Sequence, residues 1–131
     1  DGYLFFNLEP VEVLVEGLLS LGLLHGSKDE IIEKGLYSKF YMHRIGHWLG
    51  MDVHDVGAYK KDGDWRELEK GMVMTIEPGI YILDSLKDVD DKWKGIGVRI
   101  EDNIVINDSG NEFLTPDVPR TIEEVEQTVQ G

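Results

Sequence analysis

The hydrophobic period changes at Phe40, and that change divides the chain into a helical beginning and a longer extended part. Before it, Pro10 opens a run in which Val11, Leu14, Val15 and Leu18 recur at helical spacing. This helix is expected to run to His25-Gly26, where glycine supplies the left-handed stop and His25 is a helix-end cation without chemistry. Ser27 and Glu30 have the spacing of a capping box and start a second, shorter helix that closes near Gly35. The leading segment DGYLFFNL is apolar and aromatic but short.

From Phe40 to Val56 the chain is rich in histidine, glycine and aromatics, the composition of short strands and loops that carry a site. Ala58 to Gly71 reads as a polar connection, and Met72 to Ile82 as two extended pieces around Glu77-Pro78-Gly79. After a charged loop from Asp84 to Lys94, Gly95 to Ile106 reads as one strand, with Ile96, Val98 and Ile100 alternating against Gly97, Arg99 and Glu101. Thr121 and Glu124 cap a final helix after Pro119. With 131 residues, no internal repeat and no clear linker, a single domain spans 1–131.

Several functions are excluded at this level. The chain has no cysteine, so any metal must be held by nitrogen and oxygen; this also fits a reducing cytosol, and a cytoplasmic location is expected. A formal charge of -13 without a basic stripe argues against nucleic acid. The longest apolar stretch, Val11 to Leu24, is interrupted by Glu12, Glu16, Gly17 and Gly22, too polar for a membrane span, and no targeting segment is apparent.

The candidate chemistry lies in three places. His43, His47 and His54 cluster in HRIGHWLGMDVHD; a spacing of four puts His43 and His47 on one face of either a helix or a strand. Glu77 ends an apolar piece just before Pro78-Gly79, as a site carboxylate or as a solvent-facing turn residue. Arg99 and Glu101 share a strand face, which can equally be an ordinary polar surface. One imidazole and two carboxylates together could hold a divalent ion, and such an oxygen-rich set suits manganese, with zinc or cobalt as alternatives.

The motifs HRIGHWLGMDVHDVG, GMVMTIEPGIYI and GIGVRIEDNIVI resemble, in order and spacing, the consecutive C-terminal motifs of Xaa-Pro aminopeptidases, in the wider set of prolidases, creatinases and methionine aminopeptidases. The resemblance implies an α+β fold: the C-terminal portion of the pita-bread architecture, a curved antiparallel sheet with helices on one face, here as one incomplete domain. It implies metal ligation by His47, Glu77 and Glu101, with Glu101 bridging two divalent ions, and peptide hydrolysis through a metal-bridging hydroxide. His43 and His54 resemble the histidines that contact substrate and handle protons, and Arg99 the arginine near the substrate pocket. Trp48 sits near the site by analogy or simply packs. The implied substrate is a peptide with proline in second position.

Two departures qualify the resemblance. Arg44 stands where the family often has glycine, and nothing in DGYLFFNLEP resembles the upstream strand pair that carries two further aspartate ligands. Asp1 is no substitute. The isolated chain is therefore expected to be inactive, and its uncovered sheet edge and apolar face to favour self-association into a homo-oligomer. The competing reading is a non-catalytic pita-bread module that binds a peptide or a partner protein.

Overall fold

A computed structural model describes residues 9–130; the apolar segment 1–8 and Asp1 lie outside the described residues. Helix α1 (Glu9–Ser20) is shorter than its sequence pattern suggests. It ends at Gly22, not at Gly26: Gly22 has φ +71°, its N–H donates to the Leu19 carbonyl (3.0 Å), and the Leu23 N–H returns to Leu18 (2.9 Å). This paired reversal leaves Leu23 packed beside Leu18, so the two leucines after Gly22 enter the core instead of extending the helix. Helix α2 (Lys28–Glu33) starts as expected, with Ser27 Oγ accepting from the Glu30 N–H at 3.3 Å. Only half of the capping box forms, because the Glu30 carboxylate turns away to Lys34 (2.6 Å). Lys28 ties α2 to Glu16 (2.9 Å) and Glu12 (3.4 Å) on α1. A 3-10 turn (Leu36–Lys39) follows.

The expected polar connection contains a small hairpin, β1 (Lys60–Lys61) and β2 (Asp64–Trp65). Its two-residue turn, Asp62-Gly63, has both φ angles positive, 55° and 96°, as the twist of such a hairpin requires. Strands β3 (Val73–Ile76) and β4 (Gly79–Ile82) follow, then β5 (Ile96–Arg99), β6 (Asp102–Asn107) and β7 (Gly110–Phe113). All described ladders are antiparallel: β3-β6-β7, β4-β5 and β1-β2. Helix α3 (Ile122–Gln130) carries a complete capping box, Thr121 Oγ1 accepting from Glu124 N–H (3.2 Å) and the Glu124 carboxylate from Thr121 N–H (3.0 Å).

Gly95 to Ile106 is thus two strands with different partners, and the reason is chemical. The register Ile76↔Asp102 and the register Gly79↔Arg99 belong to one continuous alignment, which places Pro78 opposite Ile100. Ile100 donates its N–H to the Pro78 carbonyl (3.2 Å), but proline has no N–H to return, so the ladder breaks there. The break separates two cores. One holds Val15, Leu18, Leu23, Leu24, Ile31, Phe40, Ile82 and Val89 beneath the helices. The other holds Trp48, Met74, Ile104 and Ile106. The β3/β4 segment crosses from the second core to the first, and Glu77 lies at the crossing with Glu101 opposite it. Strand β5 is exposed throughout, with Val98 56% and the adjoining Ile100 49% accessible.

Candidate metal centre

The same register that breaks the ladder puts Glu77 directly across from Glu101. On the other side of β3, residues 45–49 run antiparallel to it: Glu77 N–H donates to Ile45 O (2.7 Å), Thr75 N–H to His47 O (2.9 Å) and Leu49 N–H to Val73 O (3.1 Å), with a bridge between Trp48 and Met74. This extended segment passes so close to β3 that a Cβ on Gly46 would lie 1.9 Å from the Thr75 carbonyl oxygen. Only glycine fits there, and the close approach brings His47 onto the Glu77 face. His47, Glu77 and Glu101 each present one donor atom within 4.8 Å of the others.

Hydrogen bonds fix the orientation of this trio. His47 Nδ1 lies 2.9 Å from the Trp48 carbonyl, which can only accept, so Nδ1 carries the proton and Nε2 is the free nitrogen of the neutral ring. That Nε2 faces Glu77 Oε1 at 3.3 Å. Thr75 Oγ1 accepts from the His47 backbone N–H (3.0 Å) and donates to Glu77 Oε1 (3.0 Å), locking backbone and carboxylate together. Glu77 is 8% exposed, and its Oε2 is 3.3 Å from Arg99 Nη1. Two carboxylates opposed across a ladder repel one another, and with the ring neutral His47 Nε2 and Glu77 Oε1 would be two acceptors face to face. One imidazole and two carboxylates with converging lone pairs fit a divalent cation, which relieves both conflicts.

The other sequence candidates surround the trio. His43 Nδ1 donates to the Arg44 carbonyl (2.7 Å), leaving Nε2 of the neutral ring to accept from the Tyr81 hydroxyl (3.1 Å). The Tyr81 oxygen in turn accepts from Arg99 Nε (2.5 Å). His54 is exposed and its ring stands edge-on to His47, with centroids 4.2 Å apart. A cleft of about 420 Å³ is lined by His43, Arg44, His47, His54, Glu77 and Arg99. Arg44 lies over the Tyr59 ring at 5.3 Å, and Trp48 stacks on that ring at 5.7 Å as part of the second core.

Thr75 and Tyr81 were not singled out from sequence, although both bond to site residues. For Tyr81 a signal existed: the register sets it opposite Gly97, and a Cβ at Gly97 or Gly79 would meet its ring at 3.3 Å or its hydroxyl at 2.6 Å. The glycines of GIYI and GIGVR make room for that ring.

Tyr41 lies behind the cleft, 5% exposed, with its ring 4.9 Å from His43 and its hydroxyl without a hydrogen-bond partner among the described residues. Burial first, then the Glu77 carboxylate, push its phenol up from 10.0 to about 12. Tyr41→Phe removes an unsatisfied buried hydroxyl and should stabilise the chain by about 1 kcal/mol near neutral pH. The folded-state pKa is raised, so the neutral phenol's contribution is complete below pH 10 and is lost as the pH climbs through 12. The advantage of the variant over the parent should therefore narrow nowhere and widen by roughly 2 to 3 kcal/mol across that window. Urea unfolding of both chains from pH 8 to 12 measures this; a constant difference would contradict the burial of an unpaired phenol.

Comparison with known proteins agrees with this geometry. The chain matches metallopeptidase family M24 over residues 15–108. It is 52% identical to a Haemophilus influenzae Xaa-Pro aminopeptidase across 92% of this chain and 27% of that protein. It superposes with a TM-score of 0.88 on Pseudomonas aeruginosa aminopeptidase PepP, at 56% identity over 92% of this chain and 27% of that one. The TM-score is also 0.88 with Escherichia coli aminopeptidase P bound to the inhibitor Pro-Leu, at 46% identity over 96% of this chain and 29% of that one. The chain thus spans little more than a quarter of the length of these relatives. These superpositions give its antiparallel sheets and helices the α+β pita-bread architecture of aminopeptidase P, and the chain belongs to metallopeptidase family M24.

Proposed function

We propose that this chain supplies the histidine and two of the carboxylates of a divalent-metal centre in an Xaa-Pro aminopeptidase, which releases the N-terminal residue from peptides with proline in second position. The observation that carries this reading is the free Nε2 of His47 converging with the Glu77 and Glu101 carboxylates. Two divalent ions, most simply Mn2+ with Zn2+ or Co2+ as alternatives, would supply there the Lewis acidity that peptide hydrolysis needs.

The chain's own residues have separable tasks. His47, Glu77 and Glu101 would be the ligands, Glu101 being the one that the family resemblance implies is shared. Arg99 neutralises the outer oxygen of Glu77 and holds the Tyr81 hydroxyl, which donates to His43 Nε2 and is the group through which a proton would pass between His43 and the substrate side of the cleft. His54, exposed beside His47 and lining the cleft, would contact substrate and handle protons there.

Three ligands are few for two ions. Residues 1–131 alone should therefore show little or no peptidase activity, and the two further aspartates of the family pattern would complete the shell. Purified chain assayed with Mn2+ and an Xaa-Pro peptide should turn over far more slowly than a full-length relative; comparable turnover would overturn the incomplete-site reading. The exposed apolar side of β5 supports self-association, and the absence of cysteine is compatible with a cytoplasmic location. Among the described residues no helix is long and apolar enough to cross a membrane.

A further inference from the structure

The C-terminal segment lies beyond the stretch that matches the family, yet it closes on β6, the strand that begins at the residue after Glu101. Alternation sets Glu101 on the side of Glu77 and His47, and Asp102 on the opposite face with Ile104 and Ile106. Asp102 is 9% exposed, and a carboxylate so buried requires a charged partner. Arg120 provides it. Its Nε lies 2.8 and 2.9 Å from the two Asp102 oxygens, and Nη2 reaches Oδ1. Nη2 also donates to the Thr115 carbonyl (2.6 Å), and Nη1 to those of Pro116 (3.1 Å) and Val118 (3.2 Å). All five N–H donors of the guanidinium are thereby used. The loop is stitched to the same strand by Asn103 N–H to Thr115 Oγ1 (3.3 Å) and Leu114 N–H to Asn103 O (2.8 Å).

Among the described residues Glu101 has no comparable clamp. Its side chain is exposed, and its backbone lies in the ladder break where Pro78 cannot return a hydrogen bond. Its place is therefore fixed chiefly from the residue after it.

We propose that Arg120 is a positioning residue for Glu101: by clamping Asp102 from behind, it holds the Glu101 carboxylate within reach of His47 and Glu77 and so sets the affinity for a divalent ion. This rests on the ligand assignment proposed above. The test is a Mn2+ titration of the chain and its Arg120→Gln and Arg120→Lys variants, followed by paramagnetic broadening of backbone amides. Removing a side chain that orients a ligand should weaken Mn2+ binding about 10- to 100-fold in Arg120→Gln. Arg120→Lys, which keeps the charge but loses the planar fork, should fall between. In both, broadening at residues 100–102 should diminish before that at His47.

Folded variants that bind Mn2+ with parental affinity and broaden residues 100–102 equally would overturn the proposal. If Arg120→Gln does not fold, Arg120→Lys decides: unchanged affinity there sinks it. A parent chain that binds no Mn2+ would remove the ligand assignment and this inference with it, whereas equal binding by parent and variants removes only the role of Arg120.

Discussion

Gly46→Ala should unfold the site and much of the second core. A Cβ at this position would meet the Thr75 carbonyl oxygen at 1.9 Å and its carbon at 2.9 Å, and both belong to backbone that is itself held in the ladder. No rotamer change relieves such a contact, so residues 45–49 must move away from β3. Three backbone hydrogen bonds and the Thr75 hydroxyl contact to His47 go with them. Overpacking alone costs about 1 to 3 kcal/mol, and each lost hydrogen bond about 1 more. A destabilisation of about 4 kcal/mol or more is expected, which removes most of the stability of a domain at the low end of the ordinary range. Denaturant unfolding measures it, and a Gly46→Ala chain within about 1 kcal/mol of the parent would mean that the 45–49 segment is not packed against β3 as described.

Glu77→Gln should abolish ion binding while keeping the fold. The amide has the shape of the carboxylate and can accept from Thr75, so packing is preserved, but the anionic ligand is gone and Arg99 loses its charge partner. Loss of a residue that merely orients a ligand costs 10- to 100-fold in metal affinity, so loss of a buried ligand should cost on the order of 100-fold or more. Without an ion the same substitution also removes the opposition between Glu77 and Glu101 across the register, and the apo variant should be no less stable than the apo parent. Isothermal titration with Mn2+ and thermal unfolding without it give the two readouts. Parental affinity in Glu77→Gln would exclude Glu77 as a ligand.

Much of the candidate site was legible because its chemistry is local in sequence. Three of the four histidines fall in one short segment, Glu77 is marked by the following Pro-Gly, and Arg99 and Glu101 stand two apart, Arg99 ending β5 and Glu101 in the break before β6. What was not legible depends on register. Thr75 looks like a strand residue until residues 45–49 are aligned beside it, and Tyr81 acquires its role only when Gly97 is set opposite. The same holds for the strand break at Ile100, which is caused by a proline on another strand.

The fold was missed in places where two signals competed. The apolar residues after Gly22 stay in helical phase, so the period masked the earlier stop that Gly22 provides. Asp62-Gly63 is a strong hairpin signal, but the flanking Lys60-Lys61 and Asp64-Trp65 lack apolar alternation, and the segment reads as loop. Strand β7 is polar and exposed, with no pattern of its own; it forms because β6 offers an edge. The capping boxes show how context decides between equal motifs. Glu124 closes its own, whereas Glu30 is taken by Lys34.

The most direct test of the metal centre is to locate an ion on it. A crystal of the chain soaked in Mn2+ should give an anomalous difference peak at about 2.0 to 2.3 Å from His47 Nε2 and from carboxylate oxygens of both Glu77 and Glu101. A peak coordinated by other residues, or none at millimolar Mn2+ with these three side chains ordered and accessible, would contradict the assignment.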